Sequence, residues 1–203
     1  MIHATHPSIY LASASPRRRE LLAQIGVRHE LLLALPGEAE VDETVLPGEA
    51  PLAYVERVCL AKAQAGVARM RARGLPERAV LAADTTVALG AQILAKPADR
   101  PDAARMLRVL SASRHQVLTA ITLCLGERRS SAVSVSEVVF RALDEGEIGQ
   151  YLDSGEADDK AGAYAIQGLA AQFVAELHGS YSGVMGLPLY ETAQLMERML
   201  RDE

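Results

Sequence analysis

Two strand-like segments of similar length, separated by a short turn, restrict the fold of this chain more than any other feature. Residues 115–125 and 130–140 flank Gly126-Glu127, and their matching lengths predict an antiparallel hairpin. Elsewhere short apolar runs alternate with segments of helical period, which is typical of an α/β protein. Because at least two hairpins interrupt this alternation, the pattern predicts a mixed, twisted sheet with flanking helices, arranged in two lobes around a cleft.

The remaining elements are predicted from local signals. A strand at 9–12 leads through Ser13-Ala14-Ser15-Pro16 into a helix closed by Gly26. A buried strand at 80–83 leads into Asp84, and a second hairpin is expected at 87–94. Further strands are expected at 29–35 and 169–177, and helices from Pro51 to about Gly74 and at 99–110, 144–152 and 188–200. No repeat or linker-like stretch divides the sequence, so we expect residues 1–203 to form one domain.

Composition argues against several functional classes. No apolar run approaches the roughly 18 to 20 residues that a membrane-spanning helix needs. Residues 1–7 lack the basic and apolar regions of a secretory signal, so we expect a cytoplasmic protein with no membrane partner. The two cysteines lie far apart, with no metal-ligand spacing around them. A net charge of −5, with six Tyr, two Phe and no Trp, argues against binding of a nucleic acid polymer.

Lysine is rare in this chain, and the positions that keep it are therefore informative. Of 21 basic residues only three are lysine, namely Lys62, Lys96 and Lys160. Since arginine serves equally well on most surfaces, these three positions are candidates for sites that need a compact point charge. Lys62 also falls on the apolar stripe of its predicted helix, which directs it towards the interior. The alternative is chance survival of solvated lysines.

A cluster of arginines at a helix N-terminus predicts an anion site. Ser15 and Pro16 suit the first positions of a helix. The following Arg17, Arg18 and Arg19 oppose the helix dipole, an arrangement that becomes favourable when an anion docks there. Free backbone amides, the Ser13 hydroxyl and guanidinium groups together suit a phosphate. A solvated basic patch is the alternative.

Three further residues are candidates for a site. A carboxylate such as Asp84, directly after a buried strand, is unfavourable unless it is paired, bound to a metal or placed at a cleft, although an Asx-type turn would also explain it. Glu43 lies in an acidic loop whose oxygen ligands suit Mg²⁺ or Mn²⁺, although such loops are usually just solvated. Gln167 follows a glycine-punctuated segment and could read the edge of a base, unless the segment is merely a tightly packed connection.

Six motifs, taken in order over about residues 9–192, resemble the Maf family of nucleoside triphosphate pyrophosphatases. Any one of them is weak, but together they are highly specific. They are Ser13-Ala14-Ser15-Pro16-Arg17-Arg18, Ala83-Asp84-Thr85, Lys96-Pro97-x-Asp99, Leu110-Ser111 with His115-x-Val117-x-Thr119, Asp159-Lys160-Ala161-Gly162-Ala163-Tyr164 with Ile166-Gln167-Gly168, and Gly179-Ser180-Tyr181 with Gly186-Leu187-Pro188.

The resemblance implies a fold related to the inosine triphosphatases, with a nucleotide cleft between the lobes, a divalent metal cation and frequent homodimers. It also implies cleavage of a nucleoside triphosphate to the monophosphate and pyrophosphate, with Asp84 matching the general base. The motif around Lys160 looks like the branch that acts on dTTP and UTP. In that branch the residues matching Arg17, Thr85 and Gln167 are associated with substrate choice. Three small-residue departures, at Ala112, Ala157 and Ala165, affect loops rather than these polar residues.

The hypothesis from the sequence assigns each candidate a role. Ser13, Arg17 and Arg18 hold the triphosphate, and Lys62 and Lys96 neutralise further phosphate charge. Glu43 and Asp84 bind or face a Mg²⁺ or Mn²⁺ ion, and Asp84 activates the attacking water. The alternatives are a pyrophosphatase that removes modified nucleotides and a nucleotide-binding regulator of septum formation with little turnover.

Overall fold

The computed structural model describes residues 7–200, so most of the N-terminal segment used to judge a secretory signal lies outside the described residues. The strands are β1 (Ile9–Leu11), β2 (His29–Leu31), β3 (Val80–Leu89), β4 (Gln92–Leu94), β5 (Arg114–Leu125), β6 (Arg128–Phe140) and β7 (Val174–His178). The α-helices are α1 (Pro16–Gln24), α2 (Pro51–Ala72), α3 (Arg100–Leu110), α4 (Glu145–Asp153), α5 (Tyr181–Val184) and α6 (Leu189–Leu200), and 3₁₀ turns cover Ala161–Ala163 and Leu169–Phe173. Within residues 7–200 no helix has the length and apolar character to cross a bilayer.

The strands form one mixed sheet in the order β2-β1-β3-β5-β6-β7, with β4 beside β3. β1 runs parallel to both β2 and β3, whereas the partners of β5 and β6 are antiparallel. The predicted long hairpin is confirmed, because β5 and β6 pair continuously from Arg114 opposite Val139 to Leu125 opposite Arg128. The prediction of a mixed α/β sheet with flanking helices is likewise confirmed.

Strand β3 differs from the prediction in a way that matters for the site. A strand at 80–83 and a separate hairpin arm were expected, but β3 continues through both and places Asp84 within the strand, opposite Ala120 of β5. Asp84 is therefore not an Asx turn. The strand does not stop at the carboxylate because β5 supplies backbone partners along its whole length, from Val80 to Ala88.

Two other predicted strands are shorter than expected. β2 ends at Leu31. The carbonyl groups of Leu32 and Leu33 accept hydrogen bonds from the side chains of Arg69, in α2, and Arg73, just after it, rather than from a neighbouring strand. The strand predicted at 169–177 begins with a 3₁₀ turn, because the Glu156 carboxylate accepts the backbone N–H groups at the start of that segment. Side chains thus satisfy backbone groups that a strand partner would otherwise take.

Two apolar clusters share one face of the sheet and leave a polar boundary between them. The first packs α1 and α6 against Leu81, Ala83 and Ile121. The second packs α3, α4 and the segment after α4 against Val87 and Val117. The opposite face of the sheet is covered by α2. The two threonines at the boundary, Thr85 of β3 and Thr119 of β5, are paired strand neighbours.

The segment between α4 and β7 carries the Lys160 motif and is held by a buried polar contact. The ring Nε2 of His115 lies 2.9 Å from the hydroxyl of Tyr164, and both rings pack edge-on against Phe140. At Gly162 the backbone has a φ of 69° and approaches Val87 so closely that an added Cβ would lie 2.9 Å from its Cγ2. These contacts fix the segment against β3 and β5.

Helix α2 crosses the sheet at Gly66, and the first prediction concerns that contact. A Cβ on Gly66 would lie 2.8 Å from Val80 Cγ1 and 2.9 Å from Ala12 Cβ. We expect Gly66→Ala to lower the free energy of unfolding by about 1–3 kcal/mol, since overpacking outweighs the gain of about 1 kcal/mol in helix propensity. Urea unfolding measures the change.

Gly149 of α4 is the matched control, because an added Cβ there meets no atom within 4 Å. Gly149→Ala is expected to raise stability by up to about 1 kcal/mol. Equal effects of the two substitutions would contradict the close approach of α2 to the sheet.

The second prediction concerns pH. Burial lowers the pKa of His115 from 6.5 to about 4, so the unfolded chain binds a proton between these values while the folded protein does not. Stability should therefore fall as the pH is lowered from about 6.5 to about 4, by up to roughly 3 kcal/mol from this residue.

His115→Gln should remove that part of the pH dependence, as measured by urea unfolding at a series of pH values. His178, which is exposed, provides the control, and His178→Gln should leave the window unchanged. An equal fall in stability between about pH 6.5 and 4 in wild type and in His115→Gln would contradict a neutral buried imidazole.

Candidate active site

A gap in the pairing of β3 locates the candidate site. On one edge β3 pairs with β5 over nine residues, but on the other edge β1 reaches only Leu81 and β4 begins only at Val87. In the described part of the chain, residues 82–86 therefore have no strand partner on that edge, and we call this stretch the β3 gap. Side chains alternate between the two faces, so a gap brings groups from both faces to one opening. Asp84 faces α2, and Thr85 faces the other side.

Asp84, Lys62 and Glu43 form an ion cluster on the α2 side of the gap. The Lys62 ammonium lies 2.7 Å from Asp84 Oδ1 and 2.9 Å from Glu43 Oε1. Asp84 is only 5% exposed, and a carboxylate buried to this degree requires such a partner. Lys62 points inwards from α2, and its charge is shared by two carboxylates from a strand and a loop. The loop is fixed in turn because the Tyr54 hydroxyl donates to the Glu43 carbonyl oxygen at 3.0 Å.

The pKa of Tyr54 reflects the negative charge of this ion cluster. This pKa is raised to about 12, first by burial and then by the charges of Asp84 and Glu43. The phenol therefore stays protonated and remains a donor at neutral pH. The neighbouring Asp42 does not join the cluster, because its carboxylate accepts the backbone N–H of Thr44 at 2.8 Å within the loop.

The donor set suits a divalent cation that is shared with a substrate. Two carboxylates converge on one ammonium position, which matches the preference of Mg²⁺ for one or two protein carboxylates completed by water and phosphate oxygens. Within residues 7–200 no group of three or more His, Cys, Asp or Glu side chains is placed to hold a metal. The residues therefore fit a Mg²⁺ or Mn²⁺ ion held jointly with a ligand, and they do not form an all-protein cage.

Arg18 links three distant segments on the other side of the gap. Its Nε donates to the Gly186 carbonyl at 2.8 Å, its Nη1 to Ser13 Oγ at 2.9 Å and its Nη2 to Thr85 Oγ1 at 3.3 Å. Burial lowers the pKa of this guanidinium, although Asp84 and Glu43 oppose the shift. The network continues from Thr85 to Thr119 at 2.9 Å. Since the protein already engages all three guanidinium nitrogens, Arg18 mainly holds the site together and presents positive charge.

The start of α1 is open towards this network. Ser15 stands at the N-cap in an extended conformation, but its side chain makes no capping hydrogen bond. Its backbone N–H is 3.3 Å from Ser13 Oγ instead. A helix N-terminus without side-chain caps offers amide donors to an anion.

Arg17 faces a different group of residues from Arg18. Arg17 Nη2 and Nε both point at one end of the Gln167 side-chain amide, Nη2 at 2.6 Å, and these two donors assign that end as the oxygen. Lys96 is exposed at the end of β4, and its loop is tied to the Lys160 segment by a hydrogen bond from Gly162 N–H to the Ala95 carbonyl at 3.2 Å. The candidates thus fall into three groups: the ion cluster of Glu43, Lys62 and Asp84, the network of Ser13, Arg18 and Thr85, and a group with Arg17, Lys96 and Gln167.

Several contributors to the site were not assigned a role from the sequence. Thr119 carries the network from Thr85 to the Gly183 carbonyl at 2.8 Å, and Gly186 supplies the carbonyl that accepts from Arg18. Their motifs, His115-x-Val117-x-Thr119 and Gly186-Leu187-Pro188, were visible in the sequence. Only the tertiary structure shows that Thr119 and Gly186 lie near Arg18.

The departures from the family motifs have different structural consequences. Ala112 has a φ of 53°, a conformation that favours glycine, and it occupies the position where the motif has Gly. Ala157 and Ala165 are buried and are not among the positive-φ residues of the described chain. The substitution at Ala112 therefore introduces local backbone strain, whereas the other two do not.

Comparison with known proteins places the chain in a family. The model of the family described as Maf-like protein matches residues 8–199. A dTTP/UTP pyrophosphatase of Aromatoleum aromaticum is 58% identical over 93% of this chain and 94% of its own length. Those of Cupriavidus pinatubonensis and Ralstonia nicotianae are 56% and 58% identical over 95% of this chain, covering 97% and 94% of theirs. Among solved structures, the Staphylococcus aureus Ham1 protein matches 66% of this chain and 72% of its own at 14% identity, with a TM-score of 0.44.

The family match spans all seven strands and every candidate site residue, from Ser13 to Gln167. Three relatives are more than 50% identical to this chain, and each alignment covers at least 93% of both sequences. The chain therefore belongs to the Maf-like protein family.

Proposed function

We propose that this chain is a nucleoside triphosphate pyrophosphatase that acts as a single domain and hydrolyses dTTP and UTP to the monophosphate and pyrophosphate. The similar proteins named dTTP/UTP pyrophosphatase support the reaction class and the substrates. The observation that carries the proposal is the buried Asp84, which is held by Lys62 at the β3 gap beside Arg18. A carboxylate, two cations and an open helix N-terminus meet where the sheet edge is interrupted.

The phosphates are bound by the cations and by the α1 N-terminus. Arg17 and Lys96 present charge to the polyphosphate, while Ser13 holds Arg18 in position and Arg18 adds a further positive charge. Lys62 offsets charge near the carboxylates. Because these groups are fixed before the substrate arrives, they stabilise the charge that develops on the departing pyrophosphate with little reorganisation.

Glu43 would hold the divalent cation, Mg²⁺ or Mn²⁺, and Asp84 would face it. When bound, such an ion supplies charge neutralisation for the phosphates and polarises an oxygen ligand. The family resemblance and the two converging carboxylates support this assignment.

Asp84 is the general base. Its Oδ1 contacts Lys62, which leaves the second carboxylate oxygen available to accept a proton from water. The water oxygen then bonds to the α-phosphorus while the bond from that phosphorus to the bridging oxygen breaks, so that pyrophosphate leaves in line. The proton resides on Asp84, and the products are the nucleoside monophosphate and pyrophosphate.

Base selection is assigned to Gln167, together with Arg17, which contacts it, and Thr85, which accepts a hydrogen bond from the neighbouring Arg18. Since the amide oxygen of Gln167 is engaged by Arg17, its NH₂ group is left to donate. Uracil and thymine present an acceptor oxygen at C4, where cytosine presents an amino donor. This arrangement favours dTTP and UTP over CTP.

The third prediction tests the reaction itself. Pyrophosphate release should be measured with dTTP, UTP, CTP, GTP, ATP and 7-methyl-GTP in the presence of Mg²⁺ or Mn²⁺. Release is expected to be fastest with dTTP and UTP and to stop when a chelator is added. Asp84→Asn should reduce kcat by at least about a hundredfold, because the general base is lost, while nucleotide binding is largely retained.

The other outcomes separate the alternatives. Preference for modified nucleotides would retain the chemistry and replace the substrate assignment. Tight nucleotide binding without release would indicate a regulator. Full activity of Asp84→Asn would remove Asp84 from the mechanism.

The fourth prediction concerns selectivity. Gln167→Ala should reduce the preference for dTTP over CTP, measured as the ratio of kcat/KM values, by about tenfold, because one hydrogen bond to the base is lost. Gln172, an exposed residue of the following 3₁₀ turn, is the matched control. An unchanged ratio in Gln167→Ala, or an equal change in Gln172→Ala, would argue against base recognition by Gln167.

A further inference from the structure

Lys160 is the one lysine of the three that the proposed mechanism does not use. Its side chain is half-buried, and the Nζ donates to the backbone carbonyl of Asp158, at 3.0 Å. Within the described residues no ion pair joins it to a carboxylate, whereas Lys62 is paired twice. A half-buried ammonium without an ion pair is unfavourable unless another anion compensates it.

The surroundings of Lys160 are cationic. Its pKa is lowered because burial disfavours the charged form and because Arg17 and, more weakly, Lys96 repel it. The carboxylates of Asp159 and Asp158 oppose this shift without cancelling it. Arg17 of α1 and Lys96 of the loop after β4 are thus near enough to Lys160 to repel its charge, and we call these three side chains the cation group.

The backbone holds Lys160 in the cation group. Asp159 and Ala163 both have positive φ values, 57° and 60°, which are unfavourable for residues other than glycine. Between them, the N–H of Gly162 binds the Ala95 carbonyl next to Lys96, and Gly162 packs directly on Val87. A strained loop that is fixed on both sides keeps the two lysines together despite their repulsion.

The ion cluster of Lys62 and the cation group therefore differ in charge. Around Lys62, the carboxylates of Glu43 and Asp84 already balance the cation. Around Lys160, positive charge is gathered without an ion-paired carboxylate. A polyanion that spans the gap would place its most negative end at the cation group.

We propose that Lys160 is a phosphate-binding residue that, with Arg17 and Lys96, binds the β- and γ-phosphoryl groups of the nucleotide and retains the pyrophosphate product. The identity of the nucleotide rests on the proposed function. The binding of a polyphosphate by Lys160 does not, because it follows from the charge and geometry of the cation group alone.

Calorimetric titration with inorganic tripolyphosphate tests this without turnover. Lys160→Met should weaken binding about tenfold or more, since a charge-assisted contact is lost, whereas Lys160→Arg should stay within about threefold of wild type. Arg198→Met is the control: it removes one positive charge from an exposed position of α6, where Nη2 donates to Gln194 Oε1 at 3.4 Å, and it should bind as wild type does. Thermal unfolding verifies that each variant is folded, and Lys160→Gln replaces Lys160→Met if the latter is not.

Kinetics provide the second measurement. In Lys160→Met the KM values for dTTP and UTP should rise by the same factor, and inhibition by pyrophosphate should weaken in parallel. Wild-type affinity for tripolyphosphate in both neutral variants would overturn the proposal, as would a rise in KM that depends on the base. If wild type hydrolyses neither nucleotide but binds tripolyphosphate through Lys160, the proposed function fails and this inference stands.

Discussion

Strand β3 is the constraint on which the rest of the structure depends. One edge is fully paired with β5, and the other is divided between a parallel neighbour, β1, and an antiparallel one, β4. Neighbours that run in opposite directions along one edge cannot merge into a single strand, so the pairing is interrupted between them. At that interruption the residues of β3 remain in a regular strand, because β5 holds them, while one edge stays open to side chains and ligands.

The same interruption explains why polar residues lie among the apolar clusters of the protein interior. Thr85 and Thr119 separate the two hydrophobic clusters on one face, and Asp84 is placed among the residues that pack against α2 on the other. Each of these three residues is hydrogen-bonded to a residue from a different part of the chain. The threonines bind Arg18 and Gly183, and Asp84 binds Lys62. Burial of these groups is tolerated because the partners are supplied by elements already fixed by apolar packing.

Local sequence patterns predict much of the fold, and the predictions that are wrong have identifiable physical causes. The β5–β6 hairpin and helices α2 and α3 follow from local pattern, and Lys62 was correctly expected to point inwards. The end of a strand at Asp84 was wrong, because a polar residue in a sequence does not reveal that a neighbouring strand holds its backbone. The strand expected at 169–177 was confirmed only from Val174, because Glu156, thirteen residues away from Leu169, satisfies the backbone at the start of the segment. Adjacent helical residues such as Arg17 and Arg18 are expected to point in different directions, but the partners that each one meets depend on the tertiary structure.

The contacts of Arg18 also bear on how the molecule acquires its site. The guanidinium joins Ser13, Thr85 and Gly186, and the last of these lies 168 residues further along the chain. Contacts of such large sequence separation form only after the intervening chain has been ordered, at an entropic cost that local contacts do not carry. A chain still emerging from the ribosome therefore lacks this junction until Gly186 has been made. The site is a property of the completed fold, and no fragment that ends before Gly186 contains it.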